Sequence, residues 1–266
     1  MKPEKPAAAP VPSLAPALAP ALPPALAERL AGRPFVALLD IDGTLAPIAP
    51  RYTHASIPES TRRVVAELAS LPGTAVVAVS GRAAADAARM LAVPGTWTIG
   101  NHGFELAAPN EPPRPRDDAV PFAGAMTSAA DRCRDLARGE AGVIVEDKRW
   151  TLSVHYRLAE ASVAARVATG AREIAKTLGL RATDGRRVVE IRPPIDVDKG
   201  TASVELLRRL GALTPAASVF CAGDDRSDED TFRRVRSANP RAVAVRVLAG
   251  HDEANYESAA ELSVSD

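Results

Sequence analysis

The chain is expected to be an α/β protein: a parallel sheet covered on both faces, with a second α+β unit inserted into it. Three observations lead there. The apolar run Phe35-Val36-Ala37-Leu38-Leu39 flows without a polar break into Asp40-Ile41-Asp42-Gly43-Thr44-Leu45, and such a run suits a central strand buried on both sides. Strand-like and helix-like segments alternate before and after a middle block of different composition. Two more apolar strands end in Ser80-Gly81-Arg82 and Gly223-Asp224-Asp225, and the C-terminal ends of strands are where open α/β sheets hold their ligands.

Taken in order, residues 35–39 read as the first strand. Pro58 to Leu71 has helical periodicity, with Ile57-Pro58 as its start signal. Ala75 to Val79 is the second strand, followed by an Ala-rich helix to about Leu91. Trp97 to Gly100 is the third, ending in Asn101-His102-Gly103. Pro109 to Pro115 is a proline-rich connector. Between about 119 and 192 the pattern gives a helix, strands at 143–148 and 151–157, a helix over about 159–178, and two short strands around Asp184-Gly185, an Asp-Gly pair being a strong hairpin signal. Pro193-Pro194 closes the block. A helix over about 199–210, a strand at 217–222, a helix to about 236 and a strand at 242–247 resume the βα alternation. Ala260 to Val264 resembles a last strand, and Ser265-Asp266 an N-cap with no helix after it. The domains follow: a flexible tail over 1–24, a Rossmann-like core over 25–108 and 194–266, and a cap over 109–193.

Eight of the 23 prolines fall in the first 24 residues. They break any continuous apolar segment that a signal peptide would need, so the stretch reads as a polyproline-like tail. No apolar run approaches the ~20 residues that span a bilayer. Lys+Arg and Asp+Glu both number 33, which removes the overall positive field of a nucleic-acid binder. Cys133 and Cys221 show neither disulfide nor zinc-ligand spacing. The expectation is a cytoplasmic protein, without nucleic-acid or membrane partners and with a monomer favoured, that gathers an anionic small molecule through local cations.

Four segments carry the candidate chemistry. Asp40 and Asp42, one residue apart at a strand end, repel each other and lose hydration, so a cation is their natural compensation. An Asx turn would use the same residue types without any chemistry. Ser80 stands where strand meets helix, offering a hydroxyl and free N–H groups to an anion, or simply a cap. Lys199 begins a helix after Asp196-Val197-Asp198, where its charge opposes the macrodipole; neutralising a transferring phosphoryl group would justify that placement. Gly223 to Asp230 holds five acids within seven residues. Asp224 and Asp225 precede the helix turn, and oxygen-only ligands there suit Mg²⁺, with Asp224 as direct ligand and Asp225 or Asp228 behind it.

In this order, the four segments resemble those of the haloacid dehalogenase (HAD) phosphatases, with the inserted block similar to their C2B-type cap. Ser80-Gly81-Arg82, Gly100-Asn101-His102-Gly103, Glu146-Asp147-Lys148, Ser153-Val154-His155-Tyr156-Arg157 and Val189-Glu190-Ile191-Arg192-Pro193 further resemble the trehalose-6-phosphate phosphatases. That resemblance implies Mg²⁺-dependent hydrolysis through an aspartyl-phosphate on Asp40, with Asp42 as acid–base, Ser80 and Lys199 on the phosphoryl group, and Asp40, Asp42 and Asp224 about the metal. Sugar contacts would come from Gly81, Arg82, Asn101, His102, Glu146, Lys148, Arg157, Glu190 and Arg192, although Arg82 could equally snorkel over its helix, His102 brace its loop, and Arg157 and Arg192 hold salt bridges within the cap. Strand periodicity places Glu146 with Lys148, and Glu190 with Arg192, on single faces, and mixed charges read a polyol well, although a solvated surface is mixed in sign too.

Other sugar-phosphate phosphatases (for sucrose, glucosylglycerol or mannosylglycerate phosphates), a phosphosugar mutase and a non-catalytic sensor compete with this expectation. A mutase needs a clustered cationic site for a second phosphate, which Glu146 and Glu190 oppose. A sensor has no use for an acid–base aspartate.

Overall fold

Strand β1 (Phe35–Leu39) is buried along its whole length, as its unbroken apolar run requires. The computed structural model describes residues 22–49, 54–185, 187–248 and 257–265. Helix α1 (Pro24–Leu30) precedes β1; α2 (Glu59–Ser70), β2 (Thr74–Val79), α3 (Ala84–Leu91) and β3 (Trp97–Gly100) follow it. The chain then adds β4 (Glu105–Ala107), β5 (Arg114–Pro115), α4 (Ala123–Leu136), β6 (Ile144–Asp147), β7 (Leu152–His155), α5 (Ala161–Thr177), β8 (Arg181–Gly185) and β9 (Val188–Arg192). It closes with α6 (Lys199–Arg209), β10 (Ser218–Gly223), α7 (Arg226–Ala238), β11 (Val243–Leu248) and β12 (Leu262–Ser265).

Eight strands form one sheet in the order β12-β11-β10-β1-β2-β3-β4-β5, parallel from β12 to β3 and antiparallel beyond. Alternation along β1 sends Val36 and Leu38 to one face, where Leu206 and Leu207 of α6 and Phe232 and Val235 of α7 cover them. Phe35, Ala37 and Leu39 go to the other, against Val65 of α2 and Ala87 and Leu91 of α3. Each such aliphatic side chain contributes ~1.5–3 kcal/mol on burial, so both faces anchor β1. The chain leaves β1 toward β2 on one side and returns through β10 on the other. The carboxyl ends of β1 and β10 therefore flank a topological switch point, the crevice where α/β sheets bind ligands.

A second, antiparallel sheet has the order β6-β7-β9-β8. Leu152, Val154, Val189 and Ile191 on one of its faces pack against Met126, Ala129 and Cys133 of α4 and Val167 and Ala171 of α5. Its other face carries polar residues: Glu146 lies opposite Ser153, and Ser153 opposite Glu190.

Several elements differ from the sequence expectation. Arg114 and Pro115, expected in a bare connector, pair with Leu106 and Glu105 as the edge of the large sheet, so the chain stays with that sheet beyond residue 109. The Asp184-Gly185 pair does not form the hairpin turn. Asp184 pairs with Val189 and Gly185 with Val188, and the chain reverses after them, with Arg187 at φ +64°. Cross-strand packing set the register over local turn preference. Residues 1–21 of the expected tail, and Asp266 of the terminal N-cap, lie outside the described residues. Cys133 and Cys221 are free and buried. No helix of the described residues is long and apolar enough to cross a membrane.

Candidate active site

Parallel register carries the expected residues together. Leu39 of β1 is level with Ala222 of β10, so Asp40 leaves the sheet beside Gly223 and Asp224. Ser80 leaves β2 on the other flank, its N–H bonded to the Ile99 carbonyl at 2.9 Å. Asp40, Ser80, Lys199, Asp224 and Asp228 are all buried. Asp40, Asp42, Ser80, Gly81, Arg82, His102, Lys199 and Asp225 line one cleft of about 300 Å³, and Glu146 and Lys148 from the second sheet's side line it as well.

Lys199 is the first residue of α6. Asp198 caps that helix, accepting from the Thr201 N–H at 2.7 Å while the Thr201 hydroxyl accepts from the Asp198 N–H, a reciprocal capping box. Thus held, Lys199 Nζ donates to Asp40 Oδ1 at 2.7 Å and to Asp228 Oδ1 at 2.9 Å. Burial works against its charge, but Asp228 and Asp40 outweigh burial and keep its pKa well above the usual lysine value. Asp40 Oδ2 has no protein partner among the described residues, which leaves one oxygen available for chemistry.

The acid-rich turn divides its labour. Asp225 caps α7, accepting from Ser227 N and Oγ and from Asp228 N. Burial opposes its charge, yet Lys199 and those donors hold its carboxyl below the usual range. Asp228 Oδ2 accepts from the N–H groups of Asp224 and Asp225 at 3.1 and 3.2 Å. Asp224 Oδ1 is buried with no hydrogen-bond partner, and burial pushes that carboxyl up to about 7. Asp40 and Asp228 are also raised, burial prevailing over the pull of Lys199.

Asp40, Asp224 and Asp228 can bring one oxygen each within 4.8 Å of one another. Three buried carboxylates against a single ammonium leave excess negative charge, and one oxygen is orphaned. An oxygen-only set of this kind fits a hard divalent cation. Gly43, at φ +90°, makes room for the Asp224 carboxylate: a Cβ there would lie 2.1 Å from Asp224 Oδ2, so only glycine suits the position.

The side-chain cluster is not identical to the expected ligand set. Asp42 is not among its carboxylates, because Arg82 takes both Asp42 oxygens, Nε to Oδ2 and Nη2 to Oδ1, each at 2.6 Å. Asp228, expected behind the metal, supplies the third carboxylate of the cluster. Arg82, expected on the sugar, lines the cleft while bonded to Asp42. Ser80 Oγ accepts from the Arg82 N–H at 3.1 Å, shaping the loop rather than capping α3, which begins only at Ala84.

Among the expected sugar contacts, Glu146 is held by His155 Nε2 at 3.2 Å and lies 3.8 Å from Lys148 Nζ. Burial raises its pKa, but His155, Lys148 and Arg82 bring it below the usual value. His102 is pushed down to about 3, chiefly by burial and then by Lys148 and Lys199, and is neutral at pH 7. Gly81 leaves space for it, since a Cβ would meet the imidazole at 2.6 Å. Glu190 accepts from Ser153 Oγ at 3.0 Å on the same face as Glu146 but outside the cleft lining. Arg192 Nη1 reaches the Val197 carbonyl at 3.3 Å, bracing the approach to Lys199. Arg157 is exposed beyond β7 and does not line the cleft. Asn101 is fully buried, its amide donating to Glu105 and the Lys148 carbonyl, and it is not among the residues lining the cleft.

Sequence reasoning passed over Glu105, Thr151 and His155. The alternation of residues 151–155 already sets Thr151, Ser153 and His155 on one face, which would have found the last of these; the other two act through residues distant in the chain.

Comparison with known proteins places the chain in a family. The family model described as Trehalose-phosphatase matches residues 38–266. The chain is 38% identical over 232 residues to the trehalose-phosphate phosphatase of Mycobacterium avium (strain 104), covering 84% of this chain and 57% of that protein; it thus spans little more than half that relative's length. Among solved structures, a trehalose-6-phosphate phosphatase related protein superposes with a TM-score of 0.71 at 22% identity over 87% of this chain and 91% of its own, a likeness of fold. The Aspergillus fumigatus trehalose-6-phosphate phosphatase gives a TM-score of 0.61 at 25% identity over 90% of both chains.

Proposed function

Because the chain belongs to the trehalose-phosphatase family, we propose that it hydrolyses trehalose 6-phosphate to trehalose and phosphate through a phosphorylated Asp40. The observation that carries this reading is the shared cleft. Asp40, bonded to Lys199 at 2.7 Å, lines it together with the mixed-charge pair Glu146 and Lys148.

Asp40 Oδ2 forms the new bond to phosphorus as the bond to the sugar O6 breaks. Lys199 holds Asp40 Oδ1 and lies beside the charge that builds on the phosphoryl oxygens, the kind of preset electrostatic support that contributes most to such transfers. With one of its oxygens released by Arg82 and protonated, Asp42 gives that proton to the leaving sugar oxygen. It then takes one from the water that attacks phosphorus and frees Asp40; acid–base help of this kind is worth ~10²–10⁴-fold. Ser80, whose Oγ accepts from the Arg82 N–H, has its hydroxyl hydrogen free for a phosphoryl oxygen. Asp40, Asp224 and Asp228 would hold a divalent ion, in our reading Mg²⁺, which when bound supplies positive charge against the phosphoryl group. The cap face bearing Glu146 and Lys148 accepts from and donates to sugar hydroxyls.

Phosphate release from trehalose, sucrose, glucose and glucosylglycerol phosphates, with and without Mg²⁺, tests this. Strong preference for trehalose 6-phosphate and loss of turnover in EDTA are expected. Equal rates on glucose 6-phosphate would overturn the specificity while sparing the chemistry.

A further inference from the structure

We propose that Asn101 is a positioning residue that locks the Lys148 turn of the cap onto the core, and so sets where Lys148 stands over the cleft. The kinetic part of this inference rests on the phosphatase reading above; the structural part does not.

The Asn101 side chain is fully buried, and all its hydrogen-bonding groups are engaged. Nδ2 donates to Glu105 Oε2 at 2.8 Å and to the Lys148 carbonyl at 3.0 Å. Oδ1 accepts from Thr151 Oγ1 at 2.8 Å. A carboxylate and a carbonyl can only accept, so the amide has a single satisfactory orientation. The backbone at Asn101 has φ +51°, a left-handed conformation that asparagine tolerates better than most residues.

The partners lie on both sides of the cleft. Glu105 begins β4 of the large sheet, whereas Lys148 and Thr151 form the turn between β6 and β7. The Lys148 N–H donates to the Thr151 carbonyl at 3.0 Å, so both ends of the Lys148 main chain are held. Trp150, in the same turn, is buried against Phe104. Glu105 Oε2 also accepts from the Ala84 N–H at 2.8 Å, while the Asn101 N–H donates to the Arg82 carbonyl at 2.7 Å. One buried amide and one carboxylate therefore tie together the segments that present Lys148 and Arg82. A buried polar network of this kind specifies a single geometry when complete and is costly when broken.

Thr151→Val keeps the shape and removes the hydroxyl; Thr151→Ser keeps the hydroxyl. With Thr151→Val, the KM for trehalose 6-phosphate should rise about tenfold, the scale of leaving one buried acceptor unpaired. The kcat and the KM for a small aryl phosphate should change less than about twofold, since neither depends on a sugar contact. Thr151→Ser should match the parent on every count. Independently of any substrate, amide hydrogen exchange at Lys148 and Trp150 should quicken in the Val variant alone, with α5 unaffected. Unchanged exchange at those two amides would overturn the proposal, as would faster exchange throughout with equal losses on both substrates. If the parent protein fails to act on trehalose 6-phosphate, the functional reading falls, and the exchange comparison still decides this one.

Discussion

Arg82 grips Asp42 by both carboxylate oxygens, with Nε and Nη2 each 2.6 Å away. A planar fork on a carboxylate fixes direction as well as charge, so Arg82 sets the position of Asp42, the acid–base group of the proposed reaction. Burial disfavours the Arg82 charge, but the bonds to Asp42 prevail and raise its pKa further above neutrality.

Arg82→Lys should therefore lower kcat on the sugar phosphate by about 10- to 100-fold, part of the ~10²–10⁴ that a placed acid–base group supplies. On an aryl phosphate, whose leaving group needs no proton, the loss should be smaller. Steady-state kinetics on both substrates checks this; equal losses would detach Arg82 from proton transfer.

Among the described residues, Lys199 is the one ammonium bonded to both Asp40 and Asp228. Lys199→Met should destabilise the fold by about 3–5 kcal/mol, the scale of breaking a buried ion pair, as read by urea denaturation. Asp40→Asn removes one of the competing negative charges instead. It should abolish phosphate release while holding or raising the thermal midpoint. A midpoint that falls as far as with Lys199→Met would contradict this account of the charge balance.

Asp224 Oδ1 is buried and unpaired. Millimolar Mg²⁺ should raise the thermal midpoint of the parent protein; an ion at a hundred times its Kd stabilises by about 2.7 kcal/mol. Asp224→Ala should abolish that shift. Differential scanning fluorimetry with Mg²⁺ or EDTA makes the comparison, and an identical shift in the variant would place the ion elsewhere.

Glu146 faces the cleft from the cap, held by His155 and Lys148. Glu146→Ala should cost kcat/KM for trehalose 6-phosphate about 10-fold or more, the scale of one charge-assisted hydrogen bond at ~1.5–3 kcal/mol, and leave an aryl phosphate nearly untouched. Parallel losses would move Glu146 out of the sugar pocket.

The elements that build the cleft were legible because each announces itself locally. The apolar run of β1 can only be a buried strand, and Asp40 and Asp224 inherit their place from the strand ends they follow. Lys199 follows Asp198 at a capped helix start. The short strands β4 and β5 were not legible: three residues and two, interrupted by prolines, show no period. The Asp184-Gly185 turn was misread because a turn preference is weak beside the packing that fixes strand register.

By itself the sequence determined the apolar strands of the large sheet, the acids and the lysine that stand at strand and helix ends, and the polar face of the second sheet, since all of these follow from the local pattern of a single element. Only the tertiary structure decided the pairings. Arg82 joins Asp42 across 40 residues, Asn101 joins Thr151 across 50, and Asp228 joins Asp40 and Asp224 in the carboxylate cluster. Periodicity orients a side chain relative to its own helix or strand. Which distant partner fills the space in front of it depends on how the elements pack, and that information is spread over the whole chain.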